Sequence, residues 1–358
     1  MCSMMISALL ITIPLLFTPP CTATRPTPQF SFTPQKEEHH NHKWHSFMNF
    51  LNARKGTQVP GISHLKQYFH HFGYLQLQDI RNATDTFDSQ FESAIVRYQT
   101  KFGLRVTGEL DYDTLSLVMA PRCGVPDIAI HTKLHASRNY EFFPGKPRWP
   151  RQIPMTLTYA FSPENLVKYL SLPEIKRVFK RAFATWASAI PVSFAETDDY
   201  GFADIKIGFY SGDHGDGEPF DGVLGVLAHS FSPGSGKFHL DAAETWAVDF
   251  DKEKSTVAVD LESVAVHEIG HLLGLGHTSV EEAVMYPTLK PRKRKVDLSI
   301  DDVEGVQALY GSNPNFTFGS LLESDISTNW ASDLLRFRSF ERWAQLIIAL
   351  TLTLSLTT

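Results

Sequence analysis

The segment HEIGHLLGLGH, at residues 267–277, carries the side chains best suited to chemistry in this sequence. His267 and His271 are four residues apart, so on a helix both imidazoles project from one face and can reach the same zinc ion. The glycines that follow permit the sharp turn that returns His277 to that ion. Three neutral imidazoles leave zinc an open fourth position, which is typical of a catalytic site and not of a closed structural one.

Glu268 stands next to the first of these histidines and is not needed as a ligand. Zinc in such a site polarises a scissile carbonyl and lowers the pKa of water, so Glu268 is placed to take the water's proton and pass it to the leaving nitrogen. The alternative, surface histidines scattered along an ordinary helix, requires five fixed positions to coincide by chance in a chain with 15 histidines. The spacing predicts a catalytic zinc with Glu268 as general base.

A second set of metal-binding side chains lies upstream. His214 and Asp216 are two residues apart in a glycine-rich loop, and His229 and His239 fall on neighbouring predicted strands. For any one of these histidines alone, an exposed loop residue is the favoured interpretation. Together, three nitrogens and one carboxylate can close a tetrahedral shell with no position left for water, which predicts a structural zinc.

Apolar periodicity places both sets of ligands on an α/β framework. Residues 155–161 alternate as a half-buried strand does, and Ser171 and Glu174 have the spacing of a capping box ahead of an amphipathic helix. Further strands are predicted at 192–195, 203–210, 225–231 and 238–241, and further helices at 261–273 and after the capping box at 299–302.

A small helical domain, predicted at residues 60–119, precedes this framework and is followed by PRCGVPD at 121–127. Cys2 and Cys21 fall in a predicted secretory signal, so the secreted chain keeps only Cys123, which cannot form an internal disulfide. A lone thiol in an oxidising compartment requires burial, pairing between chains or coordination to a metal.

On these motifs, residues 60–311 closely resemble the matrix metalloproteinases, the matrixin branch of the metzincins. The resemblance implies an α/β metzincin catalytic domain with a twisted, mostly parallel five-stranded sheet and three helices, preceded by a small all-α prodomain similar to peptidoglycan-binding domains. In that family PRCGVPD is the cysteine switch, so Cys123 is the expected fourth zinc ligand of a silent zymogen. Met285 matches the methionine turn beneath the zinc.

The resemblance also matches the structural zinc residue by residue and implies a calcium site. Its expected ligands are carboxylates and the backbone carbonyls of one turn, namely Asp221, Gly222, Leu224, Val226, Asp241 and Glu244. The alternative for isolated carboxylates is a solvated surface. Asp204 matches a further calcium site of the family, but Lys237 stands where a carboxylate is expected, which argues against that site.

The composition and the apolar segments near both ends predict how the chain is divided into domains and signals. The 358 residues are 43% hydrophobic with a formal charge of -6, which favours two packed domains and argues against a nucleic-acid surface. Apolar residues 6–17 predict a secretory signal, and apolar residues 346–356 predict a cleaved glycolipid (GPI) anchor signal, the alternative being a frayed apolar terminus. The predicted divisions are a signal peptide at 1–23, a flexible segment at 24–59, the propeptide at 60–139, the catalytic domain at 140–312, a linker at 313–332 and the anchor signal at 333–358.

Together these observations predict a secreted zymogen of a zinc- and calcium-dependent endopeptidase, with two zinc ions per catalytic domain and a lipid anchor on the outer face of the plasma membrane. We expect a monomer that acts on extracellular proteins or peptides, is activated by a protease, and carries glycosylation at Asn82 and Asn315. A cell-wall binding protein with an inert zinc domain is the main alternative, but it has no need of Glu268. A metal-buffering protein would not explain Cys123.

Overall fold

The computed structural model describes residues 43–79, 83–127 and 140–317 of the chain. The predicted signal peptide, the anchor signal, Asn82 and most of the C-terminal linker lie outside the described residues. No helix within the described residues is long and apolar enough to cross a membrane.

Three short helices form the predicted helical domain, and each begins or ends near its sequence signal. They are α1 (Ile62–His71), α2 (Ser89–Lys101) and α3 (Tyr112–Val118). Asp88 caps α2 by accepting a hydrogen bond from the backbone N–H of Phe91 at 2.8 Å, and Asp111 caps α3 in the same way. Aromatic side chains fill the core between the helices, with the rings of Phe69 and Phe91 5.4 Å apart in an edge-to-face arrangement.

The prediction of a flexible segment at 24–59 needs correction for its described part. Lys43–Phe50 forms a 3-10 helix, and Phe47 and Phe50 are buried in the core of the helical domain. The ring of Phe47 lies 6.5 Å from that of Tyr68. Residues three apart share one face of a 3-10 helix, so the two phenylalanines anchor the segment to this core, with Met48 packed beside them.

The catalytic region is built on one twisted sheet. Its strands are β1 (Arg122–Cys123), β2 (Met155–Phe161), β3 (Val192–Glu196), β4 (Ile205–Tyr210), β5 (Val226–Ser230) and β6 (Lys237–Asp241). The order across the sheet is β1-β5-β6-β4-β2-β3, and every pair is parallel except β5 with β6. Two further short strands, β7 (Trp246–Ala247) and β8 (Val259–Asp260), pair with each other.

Five strands of this sheet are those predicted for the catalytic domain, which confirms the mostly parallel five-stranded fold. The sixth, β1, is contributed by the PRCGVPD motif and was not predicted as a strand. Arg122 is paired with Val226 and Cys123 with Ala228 in parallel register, and the N–H of Cys123 donates to Pro287 O at 2.9 Å. The motif is therefore held as an added edge strand of the catalytic sheet.

Three helices complete the catalytic region, as predicted: α4 (Leu172–Ala189), α5 (Leu261–Leu272) and α6 (Ile300–Tyr310). Helix α4 starts at the capping box of Ser171 and Glu174. Its apolar stripe packs against α5, and Trp186 Nε1 donates to the carbonyl of Val266 at 2.7 Å across that contact. Helix α5 is buried along its whole length, so the residues it carries are rigidly placed.

Candidate metal centre

The three histidines of the HEIGHLLGLGH segment converge on one point. The Nε2 atoms of His267 and His271 are 3.1 Å apart, and that of His277 lies 3.3 Å from the first and 3.2 Å from the second. Nitrogens bound to one tetrahedral zinc at about 2.0 Å are separated by about 3.3 Å, so this triangle fits the ion. Helix α5 supplies the first two ligands, and the chain must then reverse to supply the third.

Gly274 makes this reversal possible. Its φ is +104°, in the left-handed region, and a Cβ there would lie 2.3 Å from the carbonyl oxygen of Pro147. Any other residue would be strained and would collide with this backbone. The sequence-based reason for a glycine at the end of α5 is therefore confirmed by the geometry.

Each imidazole is oriented through its other nitrogen. The Nδ1 atom of His267 lies 2.7 Å from Val284 O, and that of His271 lies 2.8 Å from Leu275 O. The Nδ1 atom of His277 lies 2.8 Å from Asp127 Oδ1. Since each of these oxygens accepts a hydrogen bond, the proton of each neutral ring is held on Nδ1 and Nε2 is left free for a metal.

Electrostatics also favours neutral rings. Burial lowers the pKa of His267 and His271 well below the ordinary value. Burial likewise lowers the pKa of His277, although Asp127 acts in the opposite direction. Imidazoles that stay unprotonated at neutral pH are ready to bind a metal without first releasing a proton.

Cys123 lies within the same cluster. Its Sγ is 3.4 Å from His271 Nε2, and the four ligand atoms all lie within 4.8 Å of one another. Burial and the nearby Glu268 raise the pKa of the thiol well above its ordinary value. The protein alone therefore disfavours a thiolate here, and a positive ion among the imidazoles would reverse this preference.

Glu268 is fully buried and faces the cluster. Neither carboxylate oxygen has a hydrogen-bond partner of ordinary geometry among the described residues. Burial raises the pKa of Glu268 to about 7, while the side chains of Cys123 and Ser230 act to lower it. Such a carboxyl group can accept and release a proton near neutral pH.

Met285, the residue predicted to form the methionine turn, packs against helix α5, which carries His267 and His271. A Cβ on Gly270, in the middle of α5, would lie 2.2 Å from Met285 Sδ, so the glycine allows the thioether to approach the helix backbone. Asp302 fixes the turn by accepting hydrogen bonds from the N–H groups of Val284 at 2.9 Å and Met285 at 3.0 Å.

The second predicted cluster also assembles. Asp216 Oδ2 lies 2.9 Å from His214 Nε2, 2.8 Å from His229 Nε2 and 2.8 Å from His239 Nδ1. Burial would raise the pKa of Asp216, but the Glu218 N–H and the histidines bring it below the usual range. Burial lowers the pKa of His229 to about 4. Three imidazole nitrogens and one carboxylate oxygen are therefore available to a zinc ion.

The predicted calcium ligands form an acidic cluster beside this site. The N–H groups of the 222–226 turn donate hydrogen bonds to these carboxylates. Gly222 donates to Asp241 at 3.1 Å, Leu224 to Glu244 at 2.6 Å, and Val226 to Asp221 at 2.8 Å. Burial and mutual repulsion raise the pKa of Asp241 to about 6 and that of Glu244 to about 8. A buried acidic cluster of this kind fits a hard cation.

Asp204 forms an ion pair with Arg151 and is not free to bind a metal ion. Arg151 Nη1 donates to Asp204 Oδ2 at 2.9 Å, and the Thr158 N–H donates to the same oxygen at 2.8 Å. A guanidinium therefore neutralises the carboxylate that the family would use for a further calcium ion, in agreement with the argument from Lys237.

Residues 290–295 form a basic segment, and two of its arginines form hydrogen bonds and an ion pair with neighbouring parts of the fold. Arg292 donates to the carbonyls of Glu253 at 2.6 Å and Phe250 at 3.1 Å, and Arg294 pairs with Glu262 at 2.8 Å. These contacts tie the segment to the loop before α5 and to the first turn of that helix.

Sequence reasoning gave no separate role to Asp127. Asp127 is completely buried, where it pairs with Arg122 Nη2 and accepts a hydrogen bond from Tyr74 Oη at 2.9 Å. Its position in PRCGVPD was the available signal, but the partner His277 is 150 residues away in the chain.

Asn315 is exposed, as a glycosylation site requires.

The sheet is mostly parallel, three histidines converge on one point, and a buried glutamate lies beside them on helix α5. This fold and site define a metallohydrolase. Comparisons with known proteins identify the family within that class. The matrixin family matches residues 148–311, and a peptidoglycan binding domain matches residues 58–118. Metalloendoproteinase 4-MMP of Arabidopsis thaliana is 61% identical over 80% of this chain and 82% of its own length. Metalloendoproteinase 1 of Glycine max is 47% identical over 74% and 87%, and human matrix metalloproteinase-20 is 43% identical over 62% and 42%.

The chain therefore belongs to the matrixin family, as a zinc metalloendopeptidase of the plant type. This confirms the family resemblance, the fold class and the enzyme class that the sequence predicted.

Proposed function

We propose that this chain is the zymogen of a secreted zinc endopeptidase and that Cys123 keeps it silent. The observation that carries the proposal is the approach of Cys123 Sγ to within 3.4 Å of His271 Nε2, in a cluster with the other two histidines. With zinc among these atoms, the sulfur would be the fourth ligand, and no position would remain for water. Pairing of the motif with strand β5 holds the sulfur in place.

Zinc, when bound by His267, His271 and His277, supplies the Lewis acidity that polarises a peptide carbonyl and acidifies a water molecule. Glu268 takes the proton of the attacking water and delivers it to the leaving amide nitrogen, so the C–N bond breaks and an amine and a carboxylic acid are released, and the acid then loses its own proton to solvent. Its raised pKa, about 7, suits both steps. Removal of the propeptide is required first, because Cys123 and strand β1 occupy the approach to these groups.

We assign a structural zinc to His214, Asp216, His229 and His239, and a calcium ion to the acidic cluster of Asp221, Asp241 and Glu244 with the turn of Gly222, Leu224 and Val226. The convergence of the first set on Asp216 Oδ2 supports the zinc. The raised pKa values of Asp241 and Glu244 support the calcium, because a cation there would remove the repulsion.

The proposed location is the outer cell surface, where the enzyme would act on extracellular proteins or peptides. The apolar segments near both ends of the sequence support secretion and a lipid anchor. Release of the enzyme from intact cells by phosphatidylinositol-specific phospholipase C tests the anchor. Extraction only as an integral protein that still carries residues 333–358 would refute it.

Peptide hydrolysis by the full chain before and after proteolytic removal of the propeptide tests the zymogen proposal. We expect zinc in both forms, activity only in the second, and a Cys123 thiol that resists alkylating reagents in the first. Equal turnover by both forms would exclude latency. The alternative of a cell-wall binding protein draws on the match of residues 58–118 to a peptidoglycan binding domain. It would be favoured if the processed chain bound peptidoglycan and hydrolysed no peptide.

A further inference from the structure

The basic segment at 290–295 meets a second set of basic residues on helix α4. Arg181 Nη2 and Arg294 Nη2 donate to the same carboxylate oxygen, Glu262 Oε2, at 2.6 Å and 2.8 Å. The two arginine side chains are 51% and 55% exposed, whereas that of Glu262 is 8% exposed. A buried carboxylate therefore joins two surface cations that are distant in the chain.

Other exposed cations extend this area on both elements. Arg177 precedes Arg181 by four residues, so both lie on the same face of α4, and Lys180 is exposed beside them. On the loop, Lys290 and Lys293 are exposed, and the Lys293 N–H donates to Lys290 O at 3.2 Å to close a turn. The area is called the basic surface below and consists of Arg177, Lys180, Arg181, Lys290, Lys293 and Arg294.

The carboxylates on the loop side of the basic surface do not balance its cations. Glu262 serves two arginines at once, and Asp260 Oδ2 lies 3.9 Å from Arg294 Nε. Within the part of the chain that the structure describes, Lys290 and Lys293 form no ion pair. The basic surface therefore carries net positive charge on a chain whose formal charge is -6.

Acidic residues mark the edges of the basic surface. Near Arg177, Glu174 caps α4 and lies 3.8 Å from Lys252 Nζ. On the other side, Arg294 borders an open groove whose acidic lining residues are Glu282, Asp297, Asp301 and Glu304. A polyanion would be attracted by the basic surface and repelled at this groove, so its course is confined to the side of α4.

The partner that fits this surface is a polyanion found outside the cell. Dense runs of lysine and arginine bind nucleic acids or acidic polysaccharides, and the polysaccharides are the class that matches the extracellular location proposed for the enzyme. Anionic lipids charge chiefly the cytoplasmic leaflet of a membrane. Arginine favours carboxylates, because two N–H groups of a guanidinium match two carboxylate oxygens. Arg181 binds Glu262 in this way, through Nε at 2.9 Å and Nη2 at 2.6 Å.

We propose that the basic surface binds polysaccharides rich in uronic acid, whose carboxylate groups recur along the chain, and so retains the enzyme beside them. Its residues are exposed while the propeptide is in place, and none of them is a proposed metal ligand. Binding is therefore expected in the uncleaved chain. The proposed extracellular location serves to choose the partner, and binding itself requires no peptide hydrolysis.

The test measures binding of the full chain, loaded with zinc and calcium, to an immobilised oligomer of galacturonic acid. We expect saturable binding that weakens as salt is added, because ions screen exposed charges over about 8 Å at physiological ionic strength. The methyl-esterified oligomer lacks the charges and should not bind. Equal binding to both oligomers, or binding to neither, would overturn the proposal. Binding only to heparin, or only to vesicles containing phosphatidylserine, would also overturn it by identifying a different partner.

A triple variant locates the binding. Lys290→Gln/Lys293→Gln/Arg294→Gln removes the charges of the loop side, and the affinity for the acidic oligomer should fall at least about tenfold. The matched control removes as many exposed cations from the helical domain and should change the affinity by no more than about twofold. This control is Arg54→Gln/Lys55→Gln/Arg105→Gln.

An equal loss of affinity in the triple variant and its control would show that net charge, and not the basic surface, binds the oligomer. If the triple variant does not fold, Arg177→Gln/Lys180→Gln decides the question, since both positions are exposed on α4. This double variant should lose at least about threefold in affinity. Unchanged affinity in whichever variant folds would overturn the proposal. The proposed catalytic function is unaffected by these outcomes, because no measurement here uses peptide hydrolysis.

Discussion

Asp127 of the PRCGVPD motif accepts a hydrogen bond from Nδ1 of His277, at 2.8 Å, although the two residues are 150 positions apart. Both side chains are completely buried. The propeptide therefore reaches the proposed zinc site twice, through the Cys123 sulfur at the centre and through a carboxylate behind one of the histidines. The same carboxylate pairs with Arg122, which is itself fully buried and lies 3.6 Å from the centre of the Phe72 ring.

The first prediction concerns this carboxylate. Asp127→Ala removes the partner of a buried guanidinium, which costs about 3 to 5 kcal/mol, and should loosen the propeptide from the catalytic region. Asp127→Asn keeps an oxygen that can accept from His277 and should have a smaller effect. We expect alkylation of Cys123 at least about a hundredfold faster in Asp127→Ala, measured in a Glu268→Gln background that prevents self-cleavage. Asp113→Ala, at an exposed position of the propeptide, is the control. Equal alkylation in all variants would show that Asp127 does not secure the propeptide.

The second prediction concerns latency. Cys123→Ser replaces a strong zinc ligand with a weak hydroxyl, so the full chain should hydrolyse peptides without an activating protease or should process itself. Zinc analysis and gel electrophoresis over time check this outcome. A Ser variant that contains zinc and remains silent and intact would show that the thiol is not what inhibits the enzyme.

The third prediction concerns the base. Glu268→Gln leaves the three histidines in place, so zinc content should be unchanged, while kcat falls by roughly two to four orders of magnitude because the proton acceptor is lost. Glu268→Asp, whose carboxylate is set back by one methylene group, should retain more activity than the Gln variant. Normal turnover by a zinc-loaded Gln variant would exclude Glu268 as the general base.

Much of the metal chemistry could be predicted from local spacing. The histidines at 267 and 271 are on one helix, and the glycine at 274 follows that helix, so their relationship depends on geometry that the sequence encodes directly. The strands and helices of the catalytic region were predictable for the same reason, since each carries its own apolar period.

Relationships between distant segments were not predictable in this way. Strand β1 exists only because Arg122 and Cys123 meet Val226 and Ala228 across the catalytic sheet, and two residues have no period of their own. The contact of Asp127 with His277 is of the same kind. The 3-10 helix of Lys43–Phe50 was missed because eight residues are too few to show a sustained apolar period.

The fourth prediction concerns the structural zinc. His214→Ala removes one of four ligands, so we expect zinc content to fall from two ions to one per chain and thermal stability to fall with it. Activity per remaining catalytic zinc should change less than stability does. His64→Ala, on helix α1 of the helical domain and outside both metal clusters, is the matched control. Two zinc ions retained in His214→Ala would contradict the assignment.

The last prediction concerns calcium and pH. The ordinary pKa values of Asp241 and Glu244 are 3.8 and 4.5, and the folded chain raises them to about 6 and about 8. At these two carboxyl groups the folded state without calcium therefore binds more protons than the unfolded state, so their contribution to stability falls as the pH rises from about 4 to about 8. Calcium neutralises the carboxylates and should remove this loss, so that adding calcium raises the melting temperature more at pH 8 than at pH 5.

Glu244→Gln should weaken both the pH dependence and the response to calcium, whereas Asp251→Asn, at an exposed position, should change neither. Melting curves of the zinc-loaded chain in a calcium-selective chelator, with and without excess calcium, measure the effect. A calcium-induced rise in melting temperature that is no larger at pH 8 than at pH 5 would show that the acidic cluster is not a calcium site.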